Sequence, residues 1–206
     1  NYNTSTRTYS MGIQGISLFG TYINNLNPAT LTKMKSTLIS VNANYGFLKS
    51  TNVNSQTEVS NGNVLGFNIG IPFDQVRGWV MSVGFNPMSL ANYKIKVLGN
   101  TGYQPFTQTY AGKGSVSRIS AGMSYNLFRQ ISIGLEYNYS FGEINRQNYI
   151  NFSNSGYTNS NIRNQFDYRR SFLKGGLIFE MGRILKNVSL ANLSLGFVFQ
   201  SGFNMN

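Results

Sequence analysis

The sequence predicts an all-β protein, an antiparallel transmembrane β-barrel, and three observations predict it. Stretches in which apolar and polar residues alternate recur along the chain, so that successive side chains of an extended strand would face opposite ways. The polar positions hold mostly Ser, Gly and Asn, where the wet face of a soluble sheet would carry Lys, Glu and Asp in quantity. Charged residues make up only 11% of the chain, against roughly 25% of an average soluble domain, while 14% are aromatic and 22 are glycine. At 206 residues the chain is long enough to bury a soluble core, so composition and pattern, not size, decide the matter. No run of ~18 consecutive apolar residues offers a transmembrane helix. A membrane crossing therefore falls to strands whose backbone groups pair with one another.

Residues 1–34 do not alternate and read as an N-terminal hatch or plug segment, with 35–206 left for the barrel strands. Met11 to Gly20 is apolar, glycine-punctuated and short, and because Asn1 to Arg7 lacks the basic-then-apolar pattern of a signal peptide, the expectation is that an export signal, if one existed, has been cut off. In the stretch Ile23 to Leu31, Asn27 can cap a short helix whose first residue is Pro28, where a missing N–H costs least. An ordinary helix start is the plain reading of that pattern.

Regular alternation begins at Thr37. The first strand places Ile39, Val41, Ala43, Tyr45 and Phe47 against Ser40, Asn42, Asn44 and Gly46. The second sets Leu65, Phe67, Ile69 and Ile71 against Gly66, Asn68 and Gly70, and the third sets Trp79, Met81, Val83 and Phe85 against Ser82, Gly84 and Asn86. Ile119 to Leu127 forms the fourth, with Arg118, Ser120, Gly122, Ser124 and Asn126 opposite. The fifth, Gln130 to Gly142, has the sharpest contrast: Ile131, Ile133, Leu135, Tyr137, Tyr139 and Phe141 on one face, Ser132, Gly134, Glu136, Asn138 and Ser140 on the other. The sixth carries Leu173, Leu177, Phe179 and Met181 against Lys174 and Glu180, with Ile178 breaking the polar side, and the seventh carries Leu193, Leu195, Phe197 and Phe199. Trp79, Tyr45, Tyr125, Tyr137, Tyr139 and Phe141 recur toward strand ends, where interfacial girdles place aromatics.

The links predict an orientation. Those at Pro72 to Gly78, Phe128 to Gln130 and Arg183 to Val188 are short, while Lys49 to Asn63, Asn86 to Ser117 and Glu143 to Ser171 read as long polar loops. Outer-membrane barrels alternate in this way, with short periplasmic turns and longer external loops. An odd strand count does not close a bacterial barrel. Either Ala91 to Leu98 hides a further hairpin arm, or the chain is part of a longer one, and the second is the favoured expectation.

Chemistry is narrowly bounded. The chain has no Cys and no His, which removes thiolate chemistry, the commonest general base and the commonest transition-metal ligand. The six acids, Glu58, Asp74, Glu136, Glu143, Asp167 and Glu180, form no close sequence pair. Gly112-Lys113-Gly114-Ser115 lacks the spacing of a phosphate loop. The expectation is a protein that is not an enzyme and carries no cofactor or metal. The net charge of +11 is scattered, which argues against nucleic acid as a partner. It fits basic residues such as Lys94, Lys96, Lys113, Arg169 and Arg170 adhering to the phosphates of outer-membrane lipid and lipopolysaccharide.

Several short motifs carry a family resemblance. Asn27-Pro28-Ala29, Gly70-Ile71-Pro72-Phe73, Trp79 to Ser89, Asn92-Tyr93-Lys94-Ile95 and Tyr110 to Arg118, in that order, resemble FadL-type outer-membrane transporters of the Bacteroidetes branch. The resemblance implies a fourteen-stranded barrel of which this chain would supply half, with Asn27, Pro28 and Ala29 in the hatch. It also implies passive uptake of long-chain fatty acids or other hydrophobic small molecules, leaving sideways into the bilayer. On that reading Arg118 and Lys174 either hold the carboxylate of the solute or are neutralised inside the lumen by Glu136 and Glu180. A second reading of the resemblance is a FadL-like partner subunit of a larger outer-membrane protein complex, such as the type IX secretion system.

Overall fold

A computed structural model describes residues 16–17, 19–20, 22–52, 55–100, 105–128, 130–152, 156–186 and 193–201. Residues 1–15 of the expected plug, and with them the start of the Met11 to Gly20 stretch, lie outside the described residues. Among the described residues are a short 3-10 helix, Pro28–Lys33, and seven strands: β1 (Leu38–Asn52), β2 (Ser55–Asp74), β3 (Trp79–Asn100), β4 (Pro105–Asn126), β5 (Ile131–Phe152), β6 (Ser160–Glu180) and β7 (Ser194–Gln200). One helical turn, α1 (Met181–Ile184), stands between β6 and β7. The strands form one sheet in sequence order, each next to its neighbour in the chain, which is the antiparallel barrel topology that the alternation predicts.

The expected loops are corrected. β1 ends at Asn52 and β2 begins at Ser55, β3 ends at Asn100 and β4 begins at Pro105, and β5 ends at Phe152 and β6 begins at Ser160. Segments read as long polar loops are therefore mostly strand. Ala91 to Leu98 is likewise no separate hairpin arm but the continuation of β3. The physical reason is that backbone pairing needs no apolar face. Alternation is demanded only where one side meets lipid, and a crossing takes about 9–11 residues. The 22 residues of β3, β4 and β5 run well past that length.

Two compact units make up the fold. The first comprises Asn1–Pro87, Arg118–Tyr139 and Ser171–Asn206, the second Met88–Ser117 and Ser140–Arg170. In the first unit the distribution of polarity is inverted relative to a soluble protein. Cross-strand apolar pairs such as Phe67 with Phe85, Ile69 with Val83, Ile71 with Met81 and Leu177 with Phe197 lie on the outward face. Many are widely exposed, Ile39 at 67% and Phe197 at 57%. The alternate positions, Asn42, Asn68, Asn86, Ser120, Ser124, Ser132, Glu136 and Asn138, are buried. An exposed apolar surface of that extent would be an aggregation hazard in water and is the expected coat in lipid.

Tight turns hold the first unit together at one end. Asp74 Oδ1 accepts from the backbone N–H groups of Val76 and Arg77 at 2.9 and 3.1 Å. Gly78 follows at φ +64°, a left-handed conformation that glycine adopts without cost. Beside this turn the rings of Trp79 and Tyr125 meet at 5.1 Å, two members of the expected aromatic girdle. Ile178, which breaks the polar face in the sequence, is fully buried. A small apolar core does form on the inward face, where Ile23, Leu31 and Met34 of the N-terminal segment pack on Val80.

Candidate functional site: the buried anchor of the N-terminal segment

The inward face of the first unit holds the segment from Ile23 to Met34, and most of what fastens it is polar. Asn27 is wholly buried and caps the 3-10 helix, its Oδ1 accepting from Ala29 N at 2.9 Å. The same side chain donates through Nδ2 to the carbonyls of Ile16 at 2.9 Å and Leu177 at 3.4 Å. One amide thus ends a helix, ties it to the preceding chain and ties both to β6. Pro28 stands at the first helical position, as the sequence predicts. Thr30 and Thr32 donate back to the carbonyls of Asn27 and Ala29 at 2.7 and 3.0 Å. Thr32 also meets Ser132 Oγ on β5 at 3.0 Å, and Ser132 in turn donates to Asn126.

Close approach is possible because the wall is glycine where the segment touches it. A Cβ added at Gly176 would stand 2.0 Å from Asn27 Oδ1, and one at Gly134 would stand 2.4 Å from Ala29 N and the carbonyl carbon of Pro28. Both distances are far inside van der Waals contact. At neighbouring Gly175 an added Cβ meets nothing.

The charged part of the anchor joins β5, β6 and the segment. Lys174 Nζ donates to Glu136 Oε1 and to the backbone carbonyl of Asn25, each at 2.9 Å, and both side chains are about nine-tenths buried. A buried ion pair of this kind is tolerable only with good geometry and further hydrogen bonds, which the Asn25 carbonyl supplies. Asn25 extends the network by donating to Asn68 Oδ1 at 3.3 Å, where Asn86 also donates at 3.0 Å. At the other end of the segment Lys33 pairs with Glu180, which Arg183 also reaches at 3.0 Å.

Of the residues singled out in the sequence, Asn27, Pro28, Ala29 and Lys174 come together in this anchor. Arg118 is buried to 3% exposure on β4, next to the strand that carries Glu136. Of the two acids expected to neutralise Arg118 and Lys174, Glu136 pairs with Lys174, whereas Glu180 pairs with Lys33 and Arg183 instead. Asn25, Asn68, Asn86 and Ser132 are not among the residues that the sequence singles out for a role. Their type is common on every polar face of this chain, and only the register, which aligns Asn68 with Gly84, leaves room for them to meet.

The arrangement has no nucleophile activated by a base, and among the described residues no three acids gather to hold a metal. What it can do is hold a segment rigidly against a wall. Among the described residues no helix is long and apolar enough to cross a membrane.

Comparison with known proteins corrects the family expected from the motifs. No curated protein and no solved structure matches the chain. The family model that matches is BamG, over residues 1–204. The resemblance to FadL-type transporters, and with it the uptake of fatty acids or other hydrophobic solutes, is overturned. The motifs that suggested it are what a barrel strand, a tight turn and an Asn-capped segment impose, and of the two roles open to Lys174, a solute carboxylate or neutralisation by an acid, its contacts with Glu136 and the Asn25 carbonyl agree with the second. The alternative of a partner in an outer-membrane assembly agrees better with the match. With nearly its full length covered by that model, the chain belongs to the BamG family, and with it to the proteins associated with the outer membrane.

Proposed function

We propose that this chain is a non-catalytic subunit of the machinery that assembles proteins into the bacterial outer membrane, held in the bilayer by its outward apolar face. The observation that carries the reading is the family match across residues 1–204. Its physical support is the inward face of the first unit. A passage for lipophiles would need a continuous apolar lining, and here Asn, Ser, Thr and a Lys–Glu pair grip the N-terminal segment instead. Such a body offers surface and rigidity to a partner, and an apolar solute gains nothing from its polar interior. The short links would then face the periplasm and the long hairpins the exterior.

The test is affinity purification of the tagged chain from outer membranes in mild detergent, followed by native mass spectrometry. The reading expects stoichiometric recovery with other assembly subunits, and a fall in the outer-membrane content of unrelated barrel proteins when the chain is depleted. Recovery of the chain alone, with barrel protein levels unchanged on depletion, would overturn it.

A further inference from the structure

The second unit carries seven basic and two acidic residues, and three of its lysines share one recess. Lys94 and Lys96 of β3 and Lys113 of β4 line a cavity of ≈ 700 Å³ together with Thr107, Thr109 and Gln147. All three lysines are exposed, and among the described residues none pairs with a carboxylate. The two acids of the unit are engaged elsewhere, Glu143 accepting from Asn145 and Asp167 from Gln165.

The register that gathers these residues is built. The lining uses mainly even positions of β3 but odd positions of β4 and β5. Gly114 and Gly142, at φ +133° and +151°, sit reciprocally against the other strand's backbone, an added Cβ at either meeting a carbonyl oxygen, of Glu143 or of Ser115, at 2.1 Å. Glycine irregularities of this kind re-aim side chains along a strand.

We propose that this lysine-lined recess is a docking site for an extended acidic segment of a partner protein. Lys94 and Lys96 are two residues apart on a strand, a repeat of about 6.6 Å that equals the spacing of alternate side chains on an extended peptide. The neutral lining supplies hydroxyl and amide groups suited to peptide N–H and C=O. Two exposed apolar residues of this stretch, Ile95 and Val97, line no part of the recess, whose lining beside the lysines is mostly neutral and polar, a better match to a peptide than to lipid. The identity of the partner rests on the assembly reading, while the chemistry of the recess does not.

The experiment titrates the full chain in detergent with a fluorescent peptide of alternating Glu and Ser, its Gln and Ser counterpart, inorganic phosphate and phosphatidylglycerol vesicles. The acidic peptide is expected to bind, with affinity falling as salt rises, and the neutral one to fail. The triple substitution Lys94→Gln, Lys96→Gln, Lys113→Gln should weaken binding about tenfold or more, equal to ~1.4 kcal/mol. Replacing the same three by Arg should retain it and serve as the folding control. Acidic peptide that binds the Gln variant as well as the native chain, or that does not bind at all, overturns the proposal. So does binding of phosphate or vesicles through these lysines in place of the peptide. Failure of the native chain to co-purify with assembly subunits would sink the assembly reading, whereas the peptide titration decides the chemistry of the recess independently.

Discussion

Gly176 and Gly175 are neighbours of identical chemistry with opposite constraints. At Gly176 a methyl group collides with Asn27 Oδ1, and at Gly175 it meets open space. Gly176→Ala is therefore expected to unseat the N-terminal segment, speeding trypsin cleavage at Lys33 and Lys35, while Gly175→Ala leaves cleavage at the native rate. Equal rates in the two variants would show that the segment is not held by this contact. Lys174 makes a second residue-scale case. Removing it alone strands Glu136 in a buried site, which costs about 3–5 kcal/mol. Lys174→Met should accordingly lower the midpoint of thermal unfolding, and the double variant Glu136→Gln, Lys174→Met should recover much of the loss. A double variant no better than the single one would mean that the Asn25 carbonyl, not the ion pair, is the partner that matters. Part of this site is legible in the sequence. Asn27 before Pro28 announces its cap in two letters, and Lys174 and Glu136 fall on polar positions of adjacent strands. The Asn25, Asn68 and Asn86 network is not, because hydrogen bonding between uncharged amides leaves no periodic trace.

Strands β1 to β7 are legible over their lipid-facing lengths, since the outward face must be apolar at every second residue. Their extensions are not. Beyond the apolar band a strand can carry Thr, Lys, Asn or Tyr on either side while its ladder continues, so period no longer separates strand from loop. The glycines that shift parity hide the pattern further. Gly114 and Gly142 are the elements' own test of this account. Alanine at either would have to adopt a conformation that costs about 1–3 kcal/mol and displace a carbonyl of the neighbouring strand. Hydrogen exchange should then speed for backbone amides flanking residues 114 and 142, with amides of β1 and β2 unchanged. Exchange that is unaltered around both positions would remove the glycines from any structural role.

At the scale of the whole molecule the sheet has two ends. Strands β1 and β7 each have one neighbour, β2 and β6, and nothing pairs with their other sides among the described residues. In water an edge can be blunted by charge or covered by a loop. In the hydrocarbon core each unpaired N–H or C=O costs several kcal/mol, so neither edge is tolerable there as it stands. The outer sides of β1 and β7 are thus predicted to be paired in the membrane, with further strands or with each other through a closed seam. Hydrogen exchange by mass spectrometry on the protein in its native outer-membrane complex measures this. Amides of β1 and β7 should be protected as well as those of β4 and β5, and should lose that protection first when the complex is dissociated. Rapid exchange of the edge amides in the intact complex would place these strands outside the hydrocarbon region, and the apolar outward residues Ile39, Val41 and Phe197 would then have to be covered by protein instead of lipid.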